Sequence, residues 1–284
     1  MARTSVDTVR RVLFTALAAL KDYHQDIVIV GGWVPKIYAW SEDLTEPLIH
    51  SFDVDAAAAG AVPVRQSKTI TEVLEGVGFQ RQEKDAAFAL GTFGKKSAQV
   101  TQFVYKKGRQ HVIFEFIAPL IGRGTNDRKT IQGGVVAPAL RFVEVLLADT
   151  QEIAIQGEKL DGAKAKLKFR VPTLAAYVYG KGLVFPRRDS IDKKGKDLAY
   201  IYEVLSRPTW REKVVGELPA VAKNHSANWY RNFRRNLSEH FKTQGAEGPA
   251  WVALQYPDRD PEEIRRAIFL EFQAFLSDIP ATLR

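Results

Sequence analysis

Apolar residues recur at Val9, Val12, Leu13, Leu17 and Leu20, so one stripe of an amphipathic helix runs through residues 5–21, with Ser5 or Asp7 placed to cap it. The pattern then changes. Ile27-Val28-Ile29-Val30 is a continuous β-branched run ending at Gly31-Gly32, which predicts a short strand at 26–30 that turns into a helix over 33–40. A second strand carries Ser51-Phe52-Asp53-Val54-Asp55, followed by the small residues Ala56 to Ala61, which predict a mobile loop. A helix is expected over 67–76, and strands over 86–91, 99–105, 111–117, 141–147, 151–156 and 165–171. The glycine-containing stretch from Gly122 to Gly134 reads as an exposed loop between two of them.

From Pro172 onward the spacing is helical. Helices are predicted over Thr173 to Gly182, Lys196 to Leu205, 210–223, 226–242 and 261–277, with Pro208, Gly245 to Pro249 and Pro257 to Pro261 as punctuation. Asp258 or Asp260, followed by Pro261, Glu262 and Glu263, makes a strong helix start. The expected fold class is therefore α+β. A mixed sheet with flanking helices occupies residues 1–172, and a helical domain occupies 173–284.

Composition narrows the function classes. The chain has 284 residues, of which 45% are hydrophobic, enough for one large core or two small ones. It has no cysteine, which excludes disulfides, thiolate zinc sites and a thiol nucleophile, and fits a reducing cytoplasm. The longest apolar stretches, such as Val12 to Leu20, are too short to span a bilayer, and the N-terminus lacks a signal-peptide pattern. A cytoplasmic protein without a membrane partner is expected. The five histidines do not cluster at metal-ligand spacing, and no local signature of Ser/His/Asp hydrolysis is present.

The formal charge of +8 favours a polyanionic partner, with nucleic acid in the lead. Basic residues gather at Lys106, Lys107 and Arg109, at Arg187, Arg188, Lys193, Lys194 and Lys196, and at Arg231, Arg234 and Arg235. The last group interleaves with Trp229, Tyr230 and Phe233, a mixture suited to gripping phosphates while stacking on bases; the competing reading makes those aromatics core. Lys193, Lys194, Arg231, Arg234 and Arg235 are the candidate RNA-binding residues.

The chemistry concentrates in two places near the start. Alternate residues on a strand share a face, so Asp53 and Asp55 project together and can hold a hard cation such as Mg2+ or Mn2+. Gly31 and Gly32 stand where strand becomes helix, a place for backbone N–H groups to meet phosphate, with Ser51 as a further nucleotide-binding candidate. In His111-Val112-Ile113-Phe114-Glu115-Phe116-Ile117, Glu115 is the only acid of a β-prone run and needs either a metal or a cationic partner.

Strand, Gly-Gly, helix, and then a strand with Asp-x-Asp resembles the nucleotidyltransferase superfold that includes DNA polymerase beta. That resemblance implies a third carboxylate from a later strand, for which Glu115 is the candidate. Phe169-Arg170-Val171-Pro172-Thr173-Leu174-Ala175-Ala176-Tyr177-Val178-Tyr179-Gly180-Lys181, then Arg187-Arg188, then Lys196-Asp197-Leu198, is similar to the AbiEii-type nucleotidyltransferase family of abortive-infection and toxin–antitoxin systems. The likeness covers roughly residues 26 to 205. It implies that Lys181 and Asp197 belong to the catalytic set and that Arg187 or Arg188 grips phosphate. Asp197 is then either a general base or the group that orients Lys181. The chain departs from the family pattern at Gly32, where many relatives carry serine, and at Tyr200, where they carry a second acid.

The resemblance implies metal-dependent transfer of a nucleoside monophosphate from an NTP to a hydroxyl, with the 3′ end of tRNA as acceptor and a cognate antitoxin as protein partner. Two alternatives stand beside it: transfer to a protein or a small molecule, and a catalytically silent binding module on the same fold.

Overall fold

The computed structural model describes residues 6–85, 99–107, 110–122 and 127–283. The chain divides into two compact units. The first comprises Met1–Glu46 and His50–Pro172, the second Pro47–Ile49 and Thr173–Arg284.

The first unit is a mixed sheet with helices on its faces. Its strands are β1 (Ile27–Val30), β2 (Asp53–Ala58), β3 (Phe79–Asp85), β4 (Gln99–Lys107), β5 (Gln110–Pro119), β6 (Arg128–Gln132), β7 (Val135–Leu140), β8 (Thr150–Glu158) and β9 (Lys164–Pro172). The order across the sheet is β3-β4-β5-β2-β1-β9-β8, and β7 pairs with both β5 and β6. The β2–β5 and β1–β9 pairs are parallel, whereas β1–β2, β4–β5 and β8–β9 are antiparallel.

Helix α1 (Val6–Ala19) buries Val9, Val12, Leu13, Ala16 and Leu17 completely and packs on β5, β8 and β9. Each of the valine and leucine side chains contributes about 1.5–3 kcal/mol by leaving water. Asp7 lies in the first turn and accepts from Arg11 Nε at 3.0 Å, while Ser5 lies outside the described residues. Helices α2 (Val34–Ser41) and α3 (Ile70–Glu75) follow the expected order. Thr69 caps α3: its hydroxyl accepts from Glu72 N–H at 3.1 Å, and the Glu72 carboxylate returns a bond to Thr69 N–H at 2.7 Å.

Three expectations change in this unit. Residues 141–147 form no strand: α4 (Val143–Ala148) occupies most of them, because Phe142 at φ 69° ends the extended backbone. Helical spacing then lays Val143, Leu146 and Leu147 on Val28, Val30, Ala57 and Ile117, a fit that a strand would not make. Nor is all of Gly122 to Gly134 a loop. It contains β6, with Gln132 paired to Val135 and Gly133-Gly134 as the two-residue hairpin connection, Gly134 at φ 80°. Ala56 to Ala58 are buried strand, since their methyl groups fit the closely packed β1–β2 pair, and so are not a loop. β3 takes Phe79 and the polar run that follows it to Asp85; the strand expected at 86–91 lies outside the described residues.

The second unit is helical: α5 (Leu174–Val184), α6 (Ile191–Leu205), α7 (Pro208–Lys223), α8 (Ala227–His240), α9 (Glu247–Ala253) and α10 (Pro261–Asp278). Thr173 caps α5 by accepting from Ala176 N–H at 3.2 Å, and Ser190 caps α6 by accepting from Lys193 N–H at 3.3 Å. The Ser190 cap explains why α6 begins before Lys196. α9 starts where a break was expected, because Pro249 falls in its first turn, where a missing N–H costs nothing. Asp260 caps α10 through Glu262 N–H at 3.1 Å and Glu263 N–H at 2.8 Å. Trp210, Phe233, Leu237, Phe272 and Phe275 form much of this unit's core.

Candidate functional site

β1 delivers the chain to the glycine turn. Its four residues are buried, and Gly31 follows at φ 73°, a left-handed conformation open to glycine, before a 3-10 turn over Gly31–Trp33 leads into α2. Val30 lies opposite Asp55 in the antiparallel β1–β2 pair. This brings the Asp55 carboxylate onto the bare α-carbon of Gly31: a methyl group there would sit 2.1 Å from Asp55 Oδ2. The glycine turn and the acidic strand, joined in one pattern by the sequence, are thus in direct contact.

The start of β2 is fixed by two donors. Trp33, buried beneath the turn, gives its indole N–H to the Asp53 carbonyl at 3.1 Å, and Ser51 Oγ donates to the same oxygen at 3.0 Å. Ser51, expected on nucleotide, is therefore employed in holding the strand. Asp53 is exposed, Asp55 half-buried, and the intervening Val54 is buried on the opposite face.

Glu115 joins them by register. In the parallel β2–β5 pair it lies directly opposite Asp55, so the two side chains share a face. The row continues through Gln102 on β4, opposite Glu115, to Gln82 on β3, opposite Gln102, with Gln102 Nε2 donating to Gln82 Oε1 at 3.4 Å. Glu115 Oε1 accepts from Lys84 Nζ at 2.7 Å, and both partners are partly exposed. α4 covers this face where Val28, Ala57 and Ile117 emerge. Gln82, Lys84 and Gln102 were not singled out in the sequence. Residues 80–85 are all polar or charged and show no apolar alternation, so only the register places Gln82 and Lys84 beside the carboxylates.

Among the described residues, no group of three or more His, Asp or Glu side chains converges to hold a metal ion. The donor chemistry nevertheless suits magnesium, which is commonly bound through one or two carboxylates together with water and substrate phosphate. Asp53 and Asp55 supply such a pair on one strand face. Glu115 is in register to add a third but is engaged by Lys84.

The second unit holds the other predicted residues. Asp197 is 3% exposed and bridges Lys181 Nζ, 2.5 Å from Oδ1, and Arg188 Nε, 2.6 Å from Oδ2. Lys181 Nζ also lies 5.0 Å from the Tyr200 ring centroid and 5.8 Å from that of Tyr177. Burial raises the Asp197 pKa, but the charges of Lys181 and Arg188 outweigh it, and the net pKa is lowered. A carboxylate held charged between two cations is a poor proton acceptor, so this geometry favours orientation of Lys181 over general-base work. Arg187 is exposed.

The basic clusters are sorted by their partners. Arg234 is spent inside the unit: its guanidinium donates to the carbonyls of Ile279 at 2.9 Å, Pro280 at 3.0 Å and Leu276 at 3.2 Å, closing the end of α10. Its expected RNA contact gives way to this capping geometry. Tyr230 and Phe233 are buried and serve the fold rather than offering a platform for bases, while Trp229 is half-buried and stacks on His225. Arg231 and Arg235 remain exposed one turn apart, each donating to an asparagine three residues earlier. Lys193 pairs with Asp189 at 3.1 Å, and Lys194 lies 5.3 Å from the Trp251 ring centroid. Lys106 is exposed, while Arg109 lies outside the described residues.

No protein-family model matches the chain, and neither a curated protein nor a solved structure matches it. No described helix is long and apolar enough to cross a membrane.

Proposed function

We propose that this chain is a metal-dependent nucleotidyltransferase that moves a nucleoside monophosphate from an NTP to a hydroxyl, with the 3′ end of tRNA as acceptor. The observation that carries the reading is the packing of Asp55 against Gly31, with Glu115 opposite Asp55. A turn suited to phosphate and a carboxylate suited to a hard cation are adjacent, as a bound metal–triphosphate requires.

In this reading Asp53 and Asp55 hold Mg2+ or Mn2+, which when bound would neutralise charge on the phosphates. Gly31 and Gly32 present backbone to the triphosphate, without the serine hydroxyl of many members of the family the sequence resembles. Trp33 and Ser51 keep Asp53 in place through its carbonyl. The acceptor hydroxyl attacks the α-phosphorus, its proton is lost, the bond to the β-phosphate oxygen breaks, and pyrophosphate leaves. Exposed Arg187, Arg231 and Arg235 suit an RNA backbone, which makes binding salt-dependent. A toxin role with a cognate antitoxin, in a cytoplasmic setting, belongs to the same reading and rests on the resemblance alone.

The test is incubation of the full chain with total tRNA, Mg2+ and each α-labelled NTP, beside an Asp53→Ala control. The expected result is label on tRNA from one NTP that disappears in the control. No label from any of the four would remove tRNA as the acceptor, and equal labelling by the control would remove Asp53 from the site.

A further inference from the structure

Lys84 has an unusual reach. It stands on β3 and Glu115 on β5, so its ammonium crosses the whole width of β4 to meet the carboxylate at 2.7 Å. Its own strand carries Glu83 and Asp85, but these point to the opposite face, and Glu83 pairs with Arg81 there at 2.5 Å. Exposed pairs of this kind add little to stability, and neither partner is deeply buried, so the contact can open at small cost. What distinguishes it is the position: the ammonium lies on the carboxylate directly opposite Asp55, in a row of polar side chains spanning four strands.

We propose that Lys84 is the site's own cation, occupying Glu115 until a divalent ion claims that carboxylate, and so setting the concentration at which the acidic face takes metal. A monovalent ammonium and a divalent ion compete for the same oxygens, and the divalent ion wins only when enough of it is present. This inference rests on the reading of Asp53 and Asp55 as metal ligands.

The experiment uses the full chain and Mn2+ alone, with free Mn2+ followed by electron paramagnetic resonance, so that no turnover is needed. Wild type is compared with Lys84→Gln, Glu115→Gln, the double variant and Asp55→Asn, each checked for an unchanged circular-dichroism spectrum. Removing one positive charge a few ångströms from the ion should tighten Mn2+ binding about tenfold in Lys84→Gln. The double variant should lose that gain and match Glu115→Gln. An isotherm for Lys84→Gln that overlays wild type, while Asp55→Asn abolishes binding, would overturn the role of Lys84 and leave the metal site standing. No Mn2+ binding by wild type, or binding indifferent to Asp55→Asn, would overturn the metal reading and this inference together.

Discussion

In the sheet unit Asp55 lies half-buried against a glycine turn, beside a second acid on an open face, whereas in the helical unit Asp197 is enclosed between Lys181 and Arg188. The contrast extends to other groups. Glu203, 5% exposed, accepts from Leu48 N–H and Tyr256 Oη, both at 3.0 Å, and from Arg207 Nη1 at 3.2 Å. Arg234 closes a helix end. The helical unit thus turns several of its charges inward, while the sheet unit sets Asp53, Asp55 and Glu115 on one strand face, where Glu115 already holds Lys84. A positive residue in a sequence is therefore not yet a positive residue available to a ligand.

The comparison can be broken most forcefully at Asp197. Asp197→Ala leaves two cations facing each other in a largely buried position, and urea unfolding should show a loss of about 3–5 kcal/mol. The acid response follows from the lowered pKa. Stability from Asp197 is fully present above its ordinary value of 3.8 and drains as pH falls through the lower folded value. Wild type should accordingly lose stability more steeply than Asp197→Asn below pH 3.8 in melts at stepped pH.

At the open site the effect should fall on activity. Asp55→Asn keeps the shape but removes the charge, and transfer of label should drop on the order of 10²–10³-fold with the melting curve little changed. Unaltered turnover in that variant would sink the site. Gly31→Ala joins both kinds of loss. The left-handed backbone costs about 1–2 kcal/mol with a side chain, and the new methyl group collides with Asp55, so Tm and Mn2+ binding should fall together.

Two arginine substitutions sharpen the distinction further. Arg234→Ala should destabilise by about 1–3 kcal/mol, because carbonyls lose a charged donor, while the salt slope of RNA binding stays as it was. Arg231→Ala combined with Arg235→Ala should do the reverse: stability within about 0.5 kcal/mol of wild type, and a salt slope smaller by roughly two. A larger stability loss from the double substitution would show that these side chains, too, belong to the fold.

Where the sequence carried a strong period, the fold was legible. β1 and β5 follow from apolar runs, β8 and β9 from alternation, and the helices after Pro172 other than α9 from three-and-four spacing and from caps such as Asp260. Val143 to Leu147 misled because its four apolar residues fit a buried strand as well as one helical face, and only packing on Val28 and Ile117 decides between them. Gly133-Gly134 was a hairpin signal taken for a loop. At the site, Asp53 and Asp55 were visible from alternation and Glu115 from its isolation. Lys84, Gln82 and Gln102 were not, since strand register is a long-range property that no local window contains. The duties of Arg234 and Ser51 were hidden for the same reason: their acceptors are carbonyls, which leave no mark in a sequence.

The three residues Pro47–Ile49 belong to the helical unit although more than a hundred residues precede its main body. Dissection of the protein has to respect that. A fragment beginning at Thr173 would keep Tyr256 and Arg207 on Glu203 but leave its carboxylate without the Leu48 N–H. A peptide spanning the missing segment, added back to such a fragment, should therefore raise its melting temperature, making the helical half a candidate for split-protein complementation rather than for simple excision.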